Sequence, residues 1–244
     1  MKTAWVIASR EYRRYFATPA AYAIAFFLFL VIGYLFSSTV TNAIVNSFGG
    51  PPPGVQVVLS PLVTILLFAA PAITMHLITE EQRMGTIELI LTAPVRDWEL
   101  VVGKWLGAFM FMGTIVLATM VYPLILNFLV SPGIDQGLVL TGYLGVLLFC
   151  SSIAAIGVAI SSLFSNQVAS FFVTLGFLLM IWIISAPSRV SGGNALLSYL
   201  DFPSHIYDTF FAGVIDLRDI VYHVSLTALF LFVGSSVVET RRWR

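Results

Sequence analysis

The sequence predicts an all-α membrane protein with six transmembrane helices and both chain ends in the cytoplasm. Three observations predict it. Of 244 residues, 59% are hydrophobic and only 10% are charged, against about a quarter charged in a soluble domain. Mean hydropathy is +0.95, more apolar surface than one core of this size can hide, so lipid is the natural solvent. Apolar runs of about 20 residues, the length a helix needs to cross a bilayer, recur between short polar segments that hold nearly all the Lys and Arg.

From Tyr15 to Thr79 there is no Asp, Glu, Lys or Arg. That stretch is too long for one span, and Asn46, Gly49, Gly50 and Pro51-Pro52-Pro53 supply turn chemistry in its middle. It therefore divides into a first span over 20–40 and a second over 57–79. Residues 80–104 form a charged segment. The third span, 105–130, ends at Ser131-Pro132-Gly133 with Asp135 following. The fourth, 138–163, and the fifth, 168–186, are separated only by Phe164-Ser165-Asn166-Gln167. A mixed segment, 187–219, precedes the sixth span, 220–238, and 1–244 reads as one transmembrane domain. The first apolar run begins near Ala20, late for a signal sequence, and no small-x-small cleavage site follows, so it reads as a retained span.

Basic residues stay on the cytoplasmic side of short loops. Lys2, Arg10, Arg13, Arg14, Arg83, Arg96, Lys104, Arg241, Arg242 and Arg244 fall on one side of a six-span path. Only Arg189 and Arg218 fall on the other. This sets residues 80–104 inside and 187–219 outside. Formal net charge is +0, and no nucleic-acid partner is expected.

Residues 1–18 read as an interfacial helix. Trp5, Tyr12, Tyr15 and Phe16 can share one helical face while Arg10, Arg13 and Arg14 reach headgroups. The outer segment contains LLSYLDF and HIYDTFFAGVIDL, too apolar for a free loop, yet Asp201, Asp208 and Asp216 spoil it as a span. Short outer re-entrant helices suit it, packed against protein. Ser151, Ser152, Ala154, Ala155, Gly157, Ala159, Ser161 and Ser162 in the fourth span are small enough for close helix packing, as are Gly103 and Gly107. Pro71 and Pro123 are expected to kink their spans. Cys150, the single cysteine, reads as a small buried side chain. His76 and His223 fall near span ends, where interfacial histidines are common. With no acid or base at membrane depth, the chain lacks the means to couple to a proton or sodium gradient alone. Thr64, Thr74 and Thr174 are the polar residues that could line a pathway.

The stretch from Ile78 to Lys104 holds 8 charged residues: Glu80, Glu81, Arg83, Glu88, Arg96, Asp97, Glu99 and Lys104. Gly85 can end a helix continuing the second span. Thr86 can cap a short following helix with Glu88 in its first turn. Ile87, Leu89, Ile90 and Leu91 give that helix an apolar side, and Pro94 stops it. Asp97 then caps the helix entering the third span. The pattern alone fits an ordinary amphipathic connector or a rigid element that docks on a partner.

EEQRMGTIELILTAPVRDWELVVGKWLGA resembles the signature segment of ABC-2-type ABC transporter permeases. The ISSLFSNQVAS stretch resembles that family's second cytoplasmic turn, at Ser165, Asn166 and Gln167. The ending, HIYDTFFAGVIDLRDIVYHVSLTALFLF with ETRRWR, is most similar to the gliding-motility (GldF-type) branch and less so to the copper-site maturation (NosY-type) branch. The resemblance implies a permease subunit of a prokaryotic cytoplasmic-membrane exporter. It implies ABC ATPase subunits below, a second permease copy or paralogue beside it, and an outer-face (periplasmic) accessory protein. The short helix between spans two and three would be the coupling helix. Glu80, Glu81 and Arg83 would offer charges to the ATPase, Gly85 and Thr86 would set the turn, Glu88 and Leu89 would lie in the helix, and Pro94 would fix its exit. Lys104 is followed by Trp105 and lacks the Gly-rich loop of a phosphate site. No cofactor is expected in this chain; ATP and Mg would be bound by the partner, and this chain would not be an enzyme. An intramembrane enzyme, a gradient-driven carrier, and a mechanotransmission or anchoring subunit that moves no solute are the competing readings.

Overall fold

The computed structural model describes residues 2–45, 53–85, 96–131, 133–184 and 199–242, and all regular structure among them is helical. The chain runs through α1 (Lys2–Ala17), α2 (Pro19–Val45), α3 (Gln56–Thr74) and the short α4 (Thr79–Arg83). It continues with α5 (Asp97–Ala118), α6 (Val121–Leu129), α7 (Gln136–Leu163) and α8 (Gln167–Ile183). Last come α9 (Ser204–Tyr207), a 3-10 turn (Phe210–Ala212) and α10 (Leu217–Arg242). The expected short helix with Thr86, Glu88, Leu89 and Pro94 lies outside the described residues.

Five segments are long and apolar enough to cross a bilayer: Ala21–Val45, Gln56–Arg83, Asp97–Leu129, Gln136–Leu163 and Leu217–Arg241. The expected fifth span corresponds to α8, an apolar helix of 17 residues. At about 1.5 Å per residue that is roughly 25 Å, short of a hydrocarbon core of about 30 Å.

Local chemistry sets several boundaries. Pro123 has no N–H to give the carbonyl of Thr119, four residues back, and the chain turns at Thr119-Met120 between α5 and α6. Pro71 lies in the last turn of α3, which ends at Thr74. Asp135 caps α7 by accepting from the amides of Gly137 (2.8 Å) and Leu138 (3.4 Å). Asn166 caps α8 by accepting from those of Val168 (2.9 Å) and Ala169 (3.4 Å). One expectation is corrected: Asp97 is the first residue of α5 and not its cap. Arg96 holds the extended cap position without a side-chain bond, and Asp97 and Glu99 stabilise the first turn through the helix dipole.

α7 is the hub. In its most apolar stretch 78% of residues are buried, against 17% in α2, and it packs on α3, α5, α8 and α10. Between apolar helices in lipid, association depends on close packing. Ser152, Ala154, Ala155, Gly157, Ala159, Ser161 and Ser162 are all buried here, and any side chain at Gly157 would collide with Thr74. Thr74 and Thr174 are therefore packing residues, bonded to their own helices at Ala70 O and Ser170 O. Of the three pathway candidates only Thr64 is exposed. His223 is fully buried, not interfacial, with Nδ1 3.0 Å from the hydroxyl of Ser152. The segment before α10, where described, is tucked onto α7: Phe202, Ile206 and Phe210 are buried, and Thr141 donates to Phe210 O at 3.0 Å.

α1 lies against α5. Its buried face is Ala4, Ala8, Glu11 and Tyr15, spaced by three and four residues. Of the aromatic residues expected to share a face, Trp5 is 59% exposed and Phe16 is exposed as well, whereas Tyr15 belongs to the buried face. Two glycines of α5 permit the approach. A Cβ at Gly103 would stand 2.8 Å from Ala4 O, and one at Gly107 would stand 2.7 Å from Glu11 Cβ. Replacing Gly107 by Leu is expected to destabilise the packing by about 1–3 kcal/mol, the usual penalty for overpacking, and to lift α1. Faster tryptic cleavage at Arg10 and Arg13, with α5 still intact, would report it; unchanged cleavage would show that α1 is not seated there.

Candidate functional site

Charged side chains from three helices meet around α4. α4 offers Glu80, Glu81 and Gln82 where the α3 segment ends, and α5 returns the chain with Lys104 two turns past Asp97. Lys104 is 1% exposed; its Nζ lies 2.7 Å from Glu81 Oε1 and 3.2 Å from Glu11 Oε1. Arg14, one turn beyond Glu11 on α1, donates to Glu80 Oε2 at 2.6 Å. Three carboxylates and two cations thus join α1, α4 and α5. Glu81 precedes residues 86–95 and Lys104 follows them, so this pair ties the two ends of that segment together.

Neutral bonds extend the cluster. Tyr15 is buried and donates its hydroxyl to Ile73 O at 2.8 Å. Burial raises the Tyr15 phenol well above its ordinary pKa, Glu11 adds to the rise and Arg14 opposes it, so Tyr15 remains a neutral donor. Tyr12 and Thr114 share a bond of 3.0 Å between α1 and α5. On the other side of α4, the Ser161 hydroxyl accepts from the amides of Ile78 (3.0 Å) and Thr79 (3.2 Å), and Thr79 donates to Ser161 O (3.0 Å). Gln82 donates to Ser162 O at 2.8 Å, and Arg241 of α10 donates to Leu163 O at 3.2 Å. The last turn of α7 is thereby bound to α4 and α10.

Of the residues expected to matter, Glu80 and Glu81 are in the cluster. Arg83 is exposed at its edge. Gly85 follows α4 with φ +69°, a left-handed conformation that costs a residue with a Cβ about 1–2 kcal/mol. A Cβ there would meet nothing within 4 Å, so the requirement is purely conformational. Ser165 and Asn166 are exposed in the turn between α7 and α8. Just before that turn, Ser161 and Ser162 in the last turn of α7 bond to α4. Sequence reasoning missed Glu11, Arg14, Thr79, Gln82, Ser161 and Ser162. One signal was available: Glu11 is the sole acid in a helix with three arginines.

Residues 44–238 match the family model described as ABC-2 family transporter protein. The chain belongs to this family. Among curated proteins none matches it. The protein is a multi-pass membrane permease of an ABC transporter, the transmembrane and non-catalytic component, and its family implies assembly with ATPase partners. The match begins after α1, so Glu11 and Arg14 lie outside the matched residues.

Removing Lys104 would take the buried ammonium from between Glu11 and Glu81. Lys104→Met is expected to lower stability by about 3–5 kcal/mol, as when one partner of a buried ion pair is deleted. Glu11→Gln leaves the Lys104–Glu81 pair intact and should cost only about 1 kcal/mol. Denaturation of the purified chain in mild detergent would rank the two, and an equal or reversed order would remove Lys104 from the centre of the cluster.

Proposed function

We propose that the ionic cluster is the mounting of an ATPase-docking element formed by residues 86–95, and that this chain exports a substrate driven by ATP hydrolysis in a separate subunit. In this reading α8 completes a sixth span, and the end with Glu80, Lys104 and Arg241 faces the cytoplasm of a prokaryote. α1 lies along the inner headgroup layer with Trp5 and Phe16 toward lipid. ATP and Mg belong to the ATPase. A second permease copy or paralogue completes the pathway, and the outer end is available to an accessory protein.

The observation that carries this reading is the pair of ionic links, Glu81 to Lys104 and Glu80 to Arg14. A docking element transmits a push only if its base is stiff, and this base is tied to α1, α5 and α7 by side chains that are mostly buried. Glu80, Glu81 and Arg83 then act from the base. Thr86, Glu88 and Leu89 act in the docked helix, Gly85 and Pro94 set its limits, and Ser165, Asn166 and Gln167 form a second, shallower contact. The C-terminal sequence favours placement nearest the gliding-motility branch, and with it a second reading in which the same mounting transmits a stroke without moving solute. ATP-dependent flux in vesicles carrying the complete complex separates the two.

Gly85→Val and Glu88→Lys are each expected to reduce ATP-driven activity at least tenfold, or to block ATPase co-purification, while membrane levels of the chain stay normal. Full coupled activity in both variants would refute the docking assignment. The mounting is tested by charge exchange. Glu80→Arg should weaken coupling, and adding Arg14→Glu should restore a large part of it, as expected for residues in direct contact. Independent, additive losses would show that the link plays no part in coupling.

A further inference from the structure

At the end of the bundle opposite Glu80, residues 199–212 fold back onto α7 and α10. His205, in α9, is buried, and both of its ring nitrogens face oxygen. Nδ1 lies 2.6 Å from Asp219 Oδ1 and Nε2 lies 2.8 Å from the main-chain oxygen of Tyr199. Asp219, in the first turn of α10, is 3% exposed, and its Oδ2 has no hydrogen-bond partner among the described residues. The Tyr222 ring stacks on the imidazole at 4.0 Å and 18°, and the Tyr199 ring meets it edge-on at 5.7 Å. Geometry thus fixes the ring on two bonds and two faces.

These contacts restrict the protons. A carbonyl oxygen only accepts, so Nε2 must carry hydrogen. In a neutral imidazole Nδ1 would then be a lone pair, held 2.6 Å from a carboxylate oxygen. Two acceptors in a buried site repel, and neither would be satisfied. One further proton between Nδ1 and Oδ1 removes the conflict. It leaves either an imidazolium–carboxylate pair or an imidazole–carboxylic acid pair, both without net charge to bury.

We propose that His205 and Asp219 form a proton-binding site, and that the proton they share holds residues 199–212 against α7 and α10. The surroundings contain no competing strong charge at bonding distance among the described residues. Residues 199–201 present Tyr199 and the buried Asp201. α10 presents Tyr222, His223 (bonded to Ser152) and Arg218, whose guanidinium lies 5.0 Å over the Tyr199 ring. α7 carries no charged residue; its titratable side chains are Tyr143, bonded to Thr119, and the buried Cys150.

The docked pair holds one proton. Undocked and in water, an imidazole loses its proton near pH 6.5 and a carboxylate gains one near pH 4. Above about pH 6.5 docking takes up a proton and so weakens as pH rises. Below about pH 4 docking releases one and weakens as pH falls. The segment is held most firmly between these limits.

The test uses the full chain in lipid nanodiscs, following hydrogen exchange of the main-chain amides of residues 200–212 from pH 5 to 10, corrected for the intrinsic pH dependence of exchange. In the wild type, protection should fall above about pH 6.5 by up to tenfold per pH unit, the limit for one linked proton. Asp219→Asn should keep protection above about pH 6.5 and lose the fall seen there in the wild type, because an amide N–H can donate to Nδ1 of a neutral ring while Nε2–H stays on Tyr199. Asp219→Ala should lose at least tenfold protection near about pH 6, where the wild type is held most firmly. The proposal is overturned if wild type and Asp219→Asn share one pH profile, or if Asp219→Asn is as unprotected as Asp219→Ala. Should the alanine variant fail to fold, the comparison of wild type with Asp219→Asn decides alone.

Discussion

Lys104 is an ammonium group almost completely removed from solvent in a chain otherwise short of charge, and much of the molecule is arranged around it. A lone buried ammonium is costly. Two carboxylates from different parts of the chain, Glu11 and Glu81, make it tolerable. Because neither is local, satisfying Lys104 forces α1, α4 and α5 into one body. The glycines at 103 and 107 allow this, since α1 must approach closely enough for Glu11 to reach the ammonium. Arg14 and Tyr15 then fasten the same helix to Glu80 and Ile73.

The bundle and the cluster are held by different physics. Between α3, α7 and α10 the contacts are small residues and fully buried hydroxyls, including Thr74 at Gly157 and Ser152 at His223. Lipid is as apolar as these helices, so shape decides their association. Around Lys104 the contacts are charge-assisted bonds, stronger and more directional. Thr79 and Ser161 mark where the two regimes meet, with a hydroxyl from the hub helix bonded to the main chain entering the ionic cluster.

Much of the fold was legible in the sequence because apolar runs and turn residues report directly on membrane-length helices. The N-caps at Asp135 and Asn166, the left-handed Gly85, and the break before Pro123 all follow from local chemistry that the sequence displays. The count of six spans was less legible, since α8, the expected fifth, is described over 17 residues. The cluster was half legible. Glu80 and Glu81 stand out in a charged run, but their partners do not. Glu11 belongs to a helix whose aromatic and basic residues suggested a surface role, and only the burial of Ala4, Ala8 and Tyr15 beside it reveals the docked face. His205 and Asp219 were likewise invisible, because their pairing depends on how the segment before α10 folds back.

α7 has 28 residues, about 42 Å of continuous helix. Near one end Thr141 and Gly145 receive Phe210; at the other Ser161 and Ser162 hold α4. Both attachments are fixed in azimuth as well as height. Inserting or deleting one residue between them would turn one end by about 100° against the other, so that only one set of contacts could re-form. The length of this helix is therefore fixed, and it keeps the two faces of the membrane in phase.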